Sequence, residues 1–208
     1  MLLGLLLTGG CVNLAKTFPE KHYFALDVSR AGEQAGPVSG TILKIHRFHI
    51  SPRYEGKEMV YRTGDTRYEA DFYNEWFVSP AAMVTQQVQN WIMNAGLFQH
   101  VVEASSYLDA SHIMEGAVTA LYGDYRYKGT PKAALDVQIL LIHDGPTRAD
   151  IVFRRDYRQL VDLADTSPET LTRGWNEGLR LMLAQLEKDL RGVDLKTPNE
   201  KPASASDR

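Results

Sequence analysis

Residues 112–127 read HIMEGAVTALYGDYRY, residues 132–145 read KAALDVQILLIHDG, and residues 149–163 read ADIVFRRDYRQLVDL. These three stretches are rich in β-branched and aromatic residues, and turn residues separate them, so we predict three long strands. Gly145-Pro146 lies between the last two, which favours a tight turn and an antiparallel pair. The fold is therefore decided near the middle of this 208-residue chain.

Four shorter strands are predicted before this block. They read HYFALDV (22–28), TILKIHRFHIS (41–51), EMVYRT (58–63) and TRYEADFY (66–73), the last two joined by a turn at Gly64-Asp65. Alternation of side chains along these segments is typical of strands. Strands outnumber helices and come in runs, so the pattern predicts one α+β domain with a mostly antiparallel sheet.

Two amphipathic helices are predicted, and both begin with Ser-Pro. The first covers 79–96, with Ser79 as N-cap, Pro80 at the first position and Gly96 at the C-terminal end. The second begins at Ser167-Pro168, continues with apolar residues at helical spacing and is expected to stop at Gly192. We expect both helices to pack on one face of the sheet.

Composition narrows the possible functions. The chain is 44% hydrophobic and carries a net charge of −3, with a pI near 6.1, which suits one globular domain and argues against nucleic-acid binding. Its single cysteine, Cys11, excludes an internal disulfide and any metal site built from several cysteines.

The sequence contains no recognisable catalytic motif. Nucleophile-elbow, H-E-x-x-H and phosphate-loop patterns are missing. His46 and His49 are three residues apart on a predicted strand, so they face opposite sides and cannot jointly hold a metal. Asp124, Asp136 and Asp144 have no evident partner. We therefore predict a non-enzymatic protein with no cofactor and no metal site, although sequence alone does not exclude a carboxylate pair.

One stretch, RYEADFYNEWFVSP (67–80), is unusually aromatic. Two interpretations stay open: the aromatic side chains anchor the first helix on the sheet, or they form an exposed platform for a partner protein or acyl chains. A second cluster, YGDYRYKG (122–129), places two tyrosines on one strand face. The candidate partner-binding residues are Tyr68, Tyr73, Trp76, Phe77, Tyr125 and Tyr127.

The N-terminal stretch MLLGLLLTGGC (1–11) is apolar, uncharged and too short to span a membrane. It fits a secretory signal in part, because small residues follow the apolar run but no basic residues precede it. A buried core strand is the alternative. Leu7-Thr8-Gly9-Gly10-Cys11 resembles a bacterial lipobox, which implies lipidation of Cys11. By the same resemblance, Val12 after the cysteine implies the outer membrane, facing the periplasm of a Gram-negative bacterium.

Several motifs together resemble the ABC-type transport auxiliary lipoprotein family of the PqiC type. They are Val60-Tyr61-Arg62, Tyr68, Tyr73, Trp76 and Pro80, within a similarity that covers about Tyr23 to Leu190. The resemblance implies a non-enzymatic outer-membrane lipoprotein that works with an MCE-domain periplasmic protein and an inner-membrane transporter complex. Such a system is expected to move phospholipid or other hydrophobic compounds and to support membrane integrity.

The chain is expected to divide into four parts: a signal-peptide remnant (1–10), a lipidated tether (11–22), the auxiliary lipoprotein domain (23–193) and a disordered tail (194–208). Homo-oligomers are possible. Two other functions stay open: a periplasmic lipoprotein that regulates a cell-wall enzyme, and a carrier with an apolar cavity between helices and sheet.

Overall fold

The computed structural model describes residues 20–32, 36 and 40–195. The predicted signal remnant, Cys11 and most of the tether lie outside the described residues, as does the tail from residue 196. The elements are β1 (His22–Phe24), β2 (Ile42–Ile45), β3 (His49–Ile50), a 3-10 helix (Pro52–Tyr54), β4 (Glu58–Arg62), β5 (Tyr68–Trp76), α1 (Pro80–Ala95), β6 (His100–Glu103), β7 (His112–Asp124), β8 (Lys132–Asp144), β9 (Ala149–Asp162) and α2 (Pro168–Leu190).

Strand β7 lies at the centre of a single nine-stranded sheet. On one edge it pairs with β8, which pairs with β9, and both pairs are antiparallel. The antiparallel pair β8–β9 was predicted from the turn at Gly145-Pro146. Along its other edge β2, β3 and β4 follow one another, and all three are parallel to β7. The sheet is therefore mixed, and the prediction of a mostly antiparallel sheet is wrong in this detail.

The parallel pairs were not predicted because turn residues in a sequence indicate only antiparallel hairpins. Gly64-Asp65 does close the antiparallel pair β4–β5, with the Thr63 amide donating to the Arg67 carbonyl at 3.0 Å. Parallel neighbours need long crossover connections, which leave no local signature. The pairs β2–β6 and β1–β5 are also parallel, and the sequence gives no local signature for them either. They form the two outer parts of this half of the sheet.

The predicted strand 41–51 is broken between β2 and β3. Phe48, in the interruption, is buried, and its ring lies so close to Gly116 that a Cβ there would be only 2.3 Å from Phe48 Cε2. The Phe48 amide donates to Thr85 Oγ1 of α1 at 3.0 Å. The Phe48 amide therefore bonds to α1 and not to a neighbouring strand. Gly116, which has no side chain, leaves room for the Phe48 ring.

Both helices begin as predicted. Ser79 Oγ accepts from the Ala82 amide at 3.4 Å, and Gly96 ends α1 with φ 65°, a left-handed conformation that suits glycine. Ser167 Oγ accepts from the Thr170 amide at 3.3 Å at the start of α2. The second helix ends at Leu190, two residues before the predicted stop.

The core lies between the sheet and the two helices. α1 contacts β3, β6 and α2, whereas α2 packs across β8 and β9. The buried side chains include Val84, Val88 and Ile92 of α1, Leu171, Trp175, Leu179, Met182 and Leu186 of α2, and Leu135, Val137, Ile139 and Leu141 of β8. Leu195 is also buried in this core, so the folded part of the chain extends past the predicted tail boundary at 194.

Candidate partner-binding surface

Strand β5 carries a large bulge that determines which aromatic side chains reach the surface. Glu58 of β4 pairs with Glu75, but the next residue, Met59, pairs with Asp71. Residues 72–74 therefore have no partner on β4 and protrude from the ladder. Bulges redirect side chains and change the inward–outward alternation of a strand.

The Asp71 carboxylate holds this bulge together. Its Oδ1 accepts from the backbone amides of Tyr73 at 2.9 Å and Asn74 at 3.1 Å. Its Oδ2 accepts from Asn74 Nδ2 at 2.8 Å and from the Tyr61 hydroxyl at 2.6 Å. Partial burial raises the pKa of Asp71, but these donors outweigh it, so the pKa lies below its usual range. Burial and the same hydrogen bond raise the pKa of Tyr61.

An aromatic ridge, which we define as Tyr23, Phe72, Tyr73 and Phe77, surrounds the bulge. Phe72 and Phe77 are 65% and 66% exposed. The rings contact edge to face, with centroids 5.2 Å apart for Phe72–Tyr73 and 6.3 Å apart for Tyr23–Phe77. Strand β1 brings Tyr23 here because it pairs with β5, which places Tyr23 opposite Glu75.

Two of the four ridge residues, Tyr73 and Phe77, were selected from the sequence. Phe72 lies in the same aromatic stretch, and only the unforeseen bulge distinguishes it as exposed. Tyr23 is missed because no local signal reports the β1–β5 pairing.

Trp76 does not belong to the exposed surface. Only 2% of it is exposed, and its ring centroid lies 5.0 Å from that of Trp175 in α2. The prediction that Trp76 contacts a partner directly is therefore wrong, because the strand turns this side chain into the core. The interpretation that aromatics anchor helix and sheet applies to this residue.

Tyr68 belongs to a separate tyrosine–arginine surface, defined as Arg53, Arg62, Tyr68 and Tyr122. The guanidinium carbons of Arg53 and Arg62 lie 4.7 Å and 5.6 Å from the centre of the Tyr68 ring. The edge of Tyr68 meets Tyr122, with centroids 5.9 Å apart. Below them Tyr54 is buried and stacks on Tyr122 at 6.1 Å.

This surface lies on the sheet face opposite to the helices. Tyr122 follows buried Leu121 and precedes Gly123, whose Cβ position would lie 3.0 Å from Leu171 of α2, so Tyr122 points the other way. Arg62 pairs with Tyr68 across β4 and β5 and therefore shares its face. Tyrosine and arginine are among the residues enriched at protein–protein hot spots.

Contrary to the expectation from the sequence, Tyr125 and Tyr127 do not share a strand face. Strand β7 ends at Asp124, so the two residues follow it in a turn. Tyr125 stacks on Tyr61 with centroids 5.2 Å apart, and its hydroxyl donates to the Thr166 carbonyl at 3.3 Å, so it is half-buried. Tyr127 is exposed, and the guanidinium of Arg126 lies 5.4 Å from its ring centre.

The two surfaces lie at different positions along β5. Tyr68 is the first residue of this strand, Phe72 is its middle residue, and Phe77 follows its last residue, Trp76. At roughly 3.3 Å per residue, Phe72 and Phe77 lie about 13–30 Å from Tyr68 along the strand.

Large side chains, including Trp76, Trp175 and Met182, are buried between the helices and the sheet. Within the described residues, no three His, Cys, Asp or Glu side chains are grouped to bind a metal. His46 instead pairs with Glu115 at 3.4 Å. In the same part of the chain, neither helix has the length and hydropathy needed to cross a membrane.

No protein-family model matches the sequence, and no curated protein matches it. Solved structures do match the fold. A Xanthomonas campestris protein of the family DUF330 gives a TM-score of 0.69 at 14% identity, covering 80% of this chain and 92% of that protein. An uncharacterized protein gives 0.63 at 17% identity, covering 82% and 99%. The chain is therefore similar in fold to these two proteins along most of their length.

Proposed function

We propose that this protein is a lipid-anchored lipoprotein of the bacterial envelope that docks a protein partner through the tyrosine–arginine surface. The partner is the periplasm-spanning MCE-domain component of an ABC-type transport system for phospholipid or other hydrophobic compounds. Three observations support the proposal: the lipobox-like sequence ending at Cys11, the motifs around β4 and β5, and a fold similar to that of the DUF330 protein.

The single observation that carries the docking role is the packing of Tyr68 among Arg53, Arg62 and Tyr122. These side chains are held in place before any partner arrives, so binding loses little conformational freedom. Arg62 also donates to the carbonyls of Gly64 and Asp65, which fixes it further. A rigid surface of this composition favours a protein ligand.

A pull-down with the MCE-domain protein tests this role. The parent chain should capture the partner, and the double variant Arg53→Ala/Tyr68→Ala should bind at least about tenfold more weakly, since hot-spot residues dominate affinity. Tyr107→Ala is the matched control, because Tyr107 is fully exposed on the connection between β6 and β7. Equal binding by parent and double variant would refute the docking surface.

The same experiment separates the proposal from its alternative. A parent chain that ignores the MCE-domain protein but binds a cell-wall synthase would indicate a regulator of an envelope enzyme. The anchor is tested by cell fractionation. Cys11→Ser should move the protein from the membrane fraction to the periplasmic fraction, because one or more acyl chains no longer hold it.

A further inference from the structure

We propose that the aromatic ridge lies against the phospholipid bilayer beside the lipid anchor, with its phenylalanine and tyrosine rings at the membrane–water interface. This inference uses the lipid anchor of the proposed function to bring the ridge near the bilayer, but it does not depend on the docking partner. It also reassigns Tyr73 and Phe77 from protein contact to lipid contact.

The composition of the ridge fits an interface between water and lipid. Phe72 and Phe77 expose apolar rings, and Tyr23 and Tyr73 add rings with a polar hydroxyl. Aromatic residues with an apolar body and a polar tip collect at the level of lipid headgroups. Removing exposed phenylalanine rings from water is favourable, so the ridge favours contact with the bilayer once the anchor is inserted.

The ridge is rigid. The Asp71 carboxylate accepts four hydrogen bonds from residues of the bulge and from Tyr61, and the bulge presents Phe72 and Tyr73. Strand β1 fixes Tyr23 against β5. Contacts within the protein therefore hold the rings in exposed positions.

The ridge lies beside the first described residues of the chain. The described chain begins at Glu20, and Lys21 Nζ lies 4.3 Å from the centre of the Phe72 ring. Nine residues lie between Cys11 and Lys21, so an extended chain spans at most about 36 Å over these ten residue steps. The point at which the chain enters the domain is thus beside the ridge, within reach of the anchor.

Charge contributes little to this contact. The two lysines near the ridge are both engaged, since Lys21 pairs with Glu75 and Lys57 Nζ donates to the Phe77 carbonyl at 3.1 Å. Glu58 and Glu75 offset their charges. We therefore expect binding to zwitterionic phospholipid and little effect of salt, in contrast to a polybasic membrane site.

Fluorescence quenching on vesicles tests the inference with the full chain. Cys11 is the only cysteine, so its thiol can be coupled to a maleimide lipid in phosphatidylcholine vesicles that also contain doxyl-labelled lipid. The three native tryptophans are Trp76, Trp91 and Trp175, and all are buried, so they add a constant background. Phe72→Trp and Phe77→Trp introduce reporters on the ridge. Because the coupling replaces biological lipidation, the result is independent of whether Cys11 is lipidated in cells.

Quenching of the F72W and F77W emission by doxyl lipid, retained at high salt, is the expected result. Tyr107→Trp is the matched control: Tyr107 follows β6, at the opposite end of the strand order from β1, and should not be quenched. Equal quenching of the ridge and control reporters, or no quenching of either, would overturn the inference. Loss of quenching at high salt would overturn it as well, because it would indicate a contact made by charge.

Discussion

The Trp76 and Trp175 rings lie 5.0 Å apart with their planes tilted by 45°. This contact joins the last residue of β5 to the first half of α2, so β5 ends in the hydrophobic core just after the bulge. Trp175 also donates from Nε1 to the Ala134 carbonyl at 3.1 Å, which ties the same ring to β8. The strand that carries the exposed aromatic residues is therefore connected to α2 and β8 through the two buried tryptophans.

Trp175→Ala should lower the free energy of unfolding by about 3–5 kcal/mol, because it removes a buried ring and leaves the Ala134 carbonyl without its donor. Urea unfolding measures the loss. Leu181→Ala, at an exposed position on the same helix, is the control and should cost much less. A loss below about 1 kcal/mol for Trp175→Ala would contradict the packing described for this core.

Glu187→Gln should destabilise the protein at neutral pH by about 3 kcal/mol. The Glu187 carboxylate accepts from Arg30 at 2.8 and 2.9 Å, from Arg191 at 2.7 Å and from Trp91 Nε1 at 2.9 Å. Arg30 is the main cause that lowers the pKa of Glu187 to about 2, and the other two donors add to it.

The pH dependence of this effect has a definite sign. A carboxylate whose folded pKa is depressed stabilises the fold above its unfolded pKa, near 4.5, and the contribution disappears as pH falls towards about 2. The difference between parent and Glu187→Gln in urea unfolding should therefore shrink over that range. Glu177→Gln is the matched control on α2, since its pair with Arg180 is exposed and contributes little. Identical pH profiles for parent and Glu187→Gln would rule out the stabilising network.

His112 should make the fold sensitive to mild acid. Its ring is buried, 5.1 Å from His143 and 5.7 Å from Phe98, and burial followed by the charge of His143 lowers its pKa to about 4. Between pH 6.5 and 4 the unfolded chain binds this proton more readily than the folded one. The free energy of unfolding should therefore fall by about 3 kcal/mol as pH decreases through that window.

Thermal unfolding of His112→Phe across the same pH range checks this prediction. The variant should lose most of the change in stability between pH 6.5 and 4, whereas His100→Phe, at an exposed site, should keep the parent profile. If His112→Phe shows the full parental loss, another group is responsible for the acid sensitivity.

Asp71→Ala should loosen the bulge while leaving the rest of the sheet folded. Removing the carboxylate leaves the Tyr73 and Asn74 amides and the Tyr61 hydroxyl without their acceptor, at a cost of about 2 kcal/mol. Amide hydrogen exchange at Tyr73 and Asn74 should accelerate at least tenfold. Asp65→Ala, at an exposed position in the neighbouring turn, is the control. Unchanged exchange at these two amides would mean that other contacts hold the bulge.

Features with local causes were predictable from the sequence. Ser79 and Ser167 start their helices as expected, since a cap depends only on the residues of the first turn. The antiparallel pair β8–β9 follows from the turn at Gly145-Pro146. The parallel strands were not predictable, because β2 meets β7 about 70 residues further along the chain and nothing near β2 encodes that partner.

The candidate surface was predicted only in part, because it also depends on contacts between residues that are distant in sequence. Strict alternation along β5 would place Phe72 and Trp76 on one face, but the three unpaired residues of the bulge shift the alternation, and one ring is exposed while the other is buried. The deciding residue is Asp71, a single carboxylate whose role depends on Tyr61 from the neighbouring strand. Residue propensities and the spacing of residues in the sequence do not predict such a contact.

The position of β7 has a consequence for the order in which the chain acquires structure. Strands β2, β3 and β4 are made early, yet each of them needs β7, which ends only at Asp124. Until that residue is available, more than half of the chain holds strand edges and apolar faces without their partner. Assembly of such non-local pairs is slow, and the incomplete state is prone to aggregation. We therefore expect most of the sheet to form late and nearly at once, after β7 has become available.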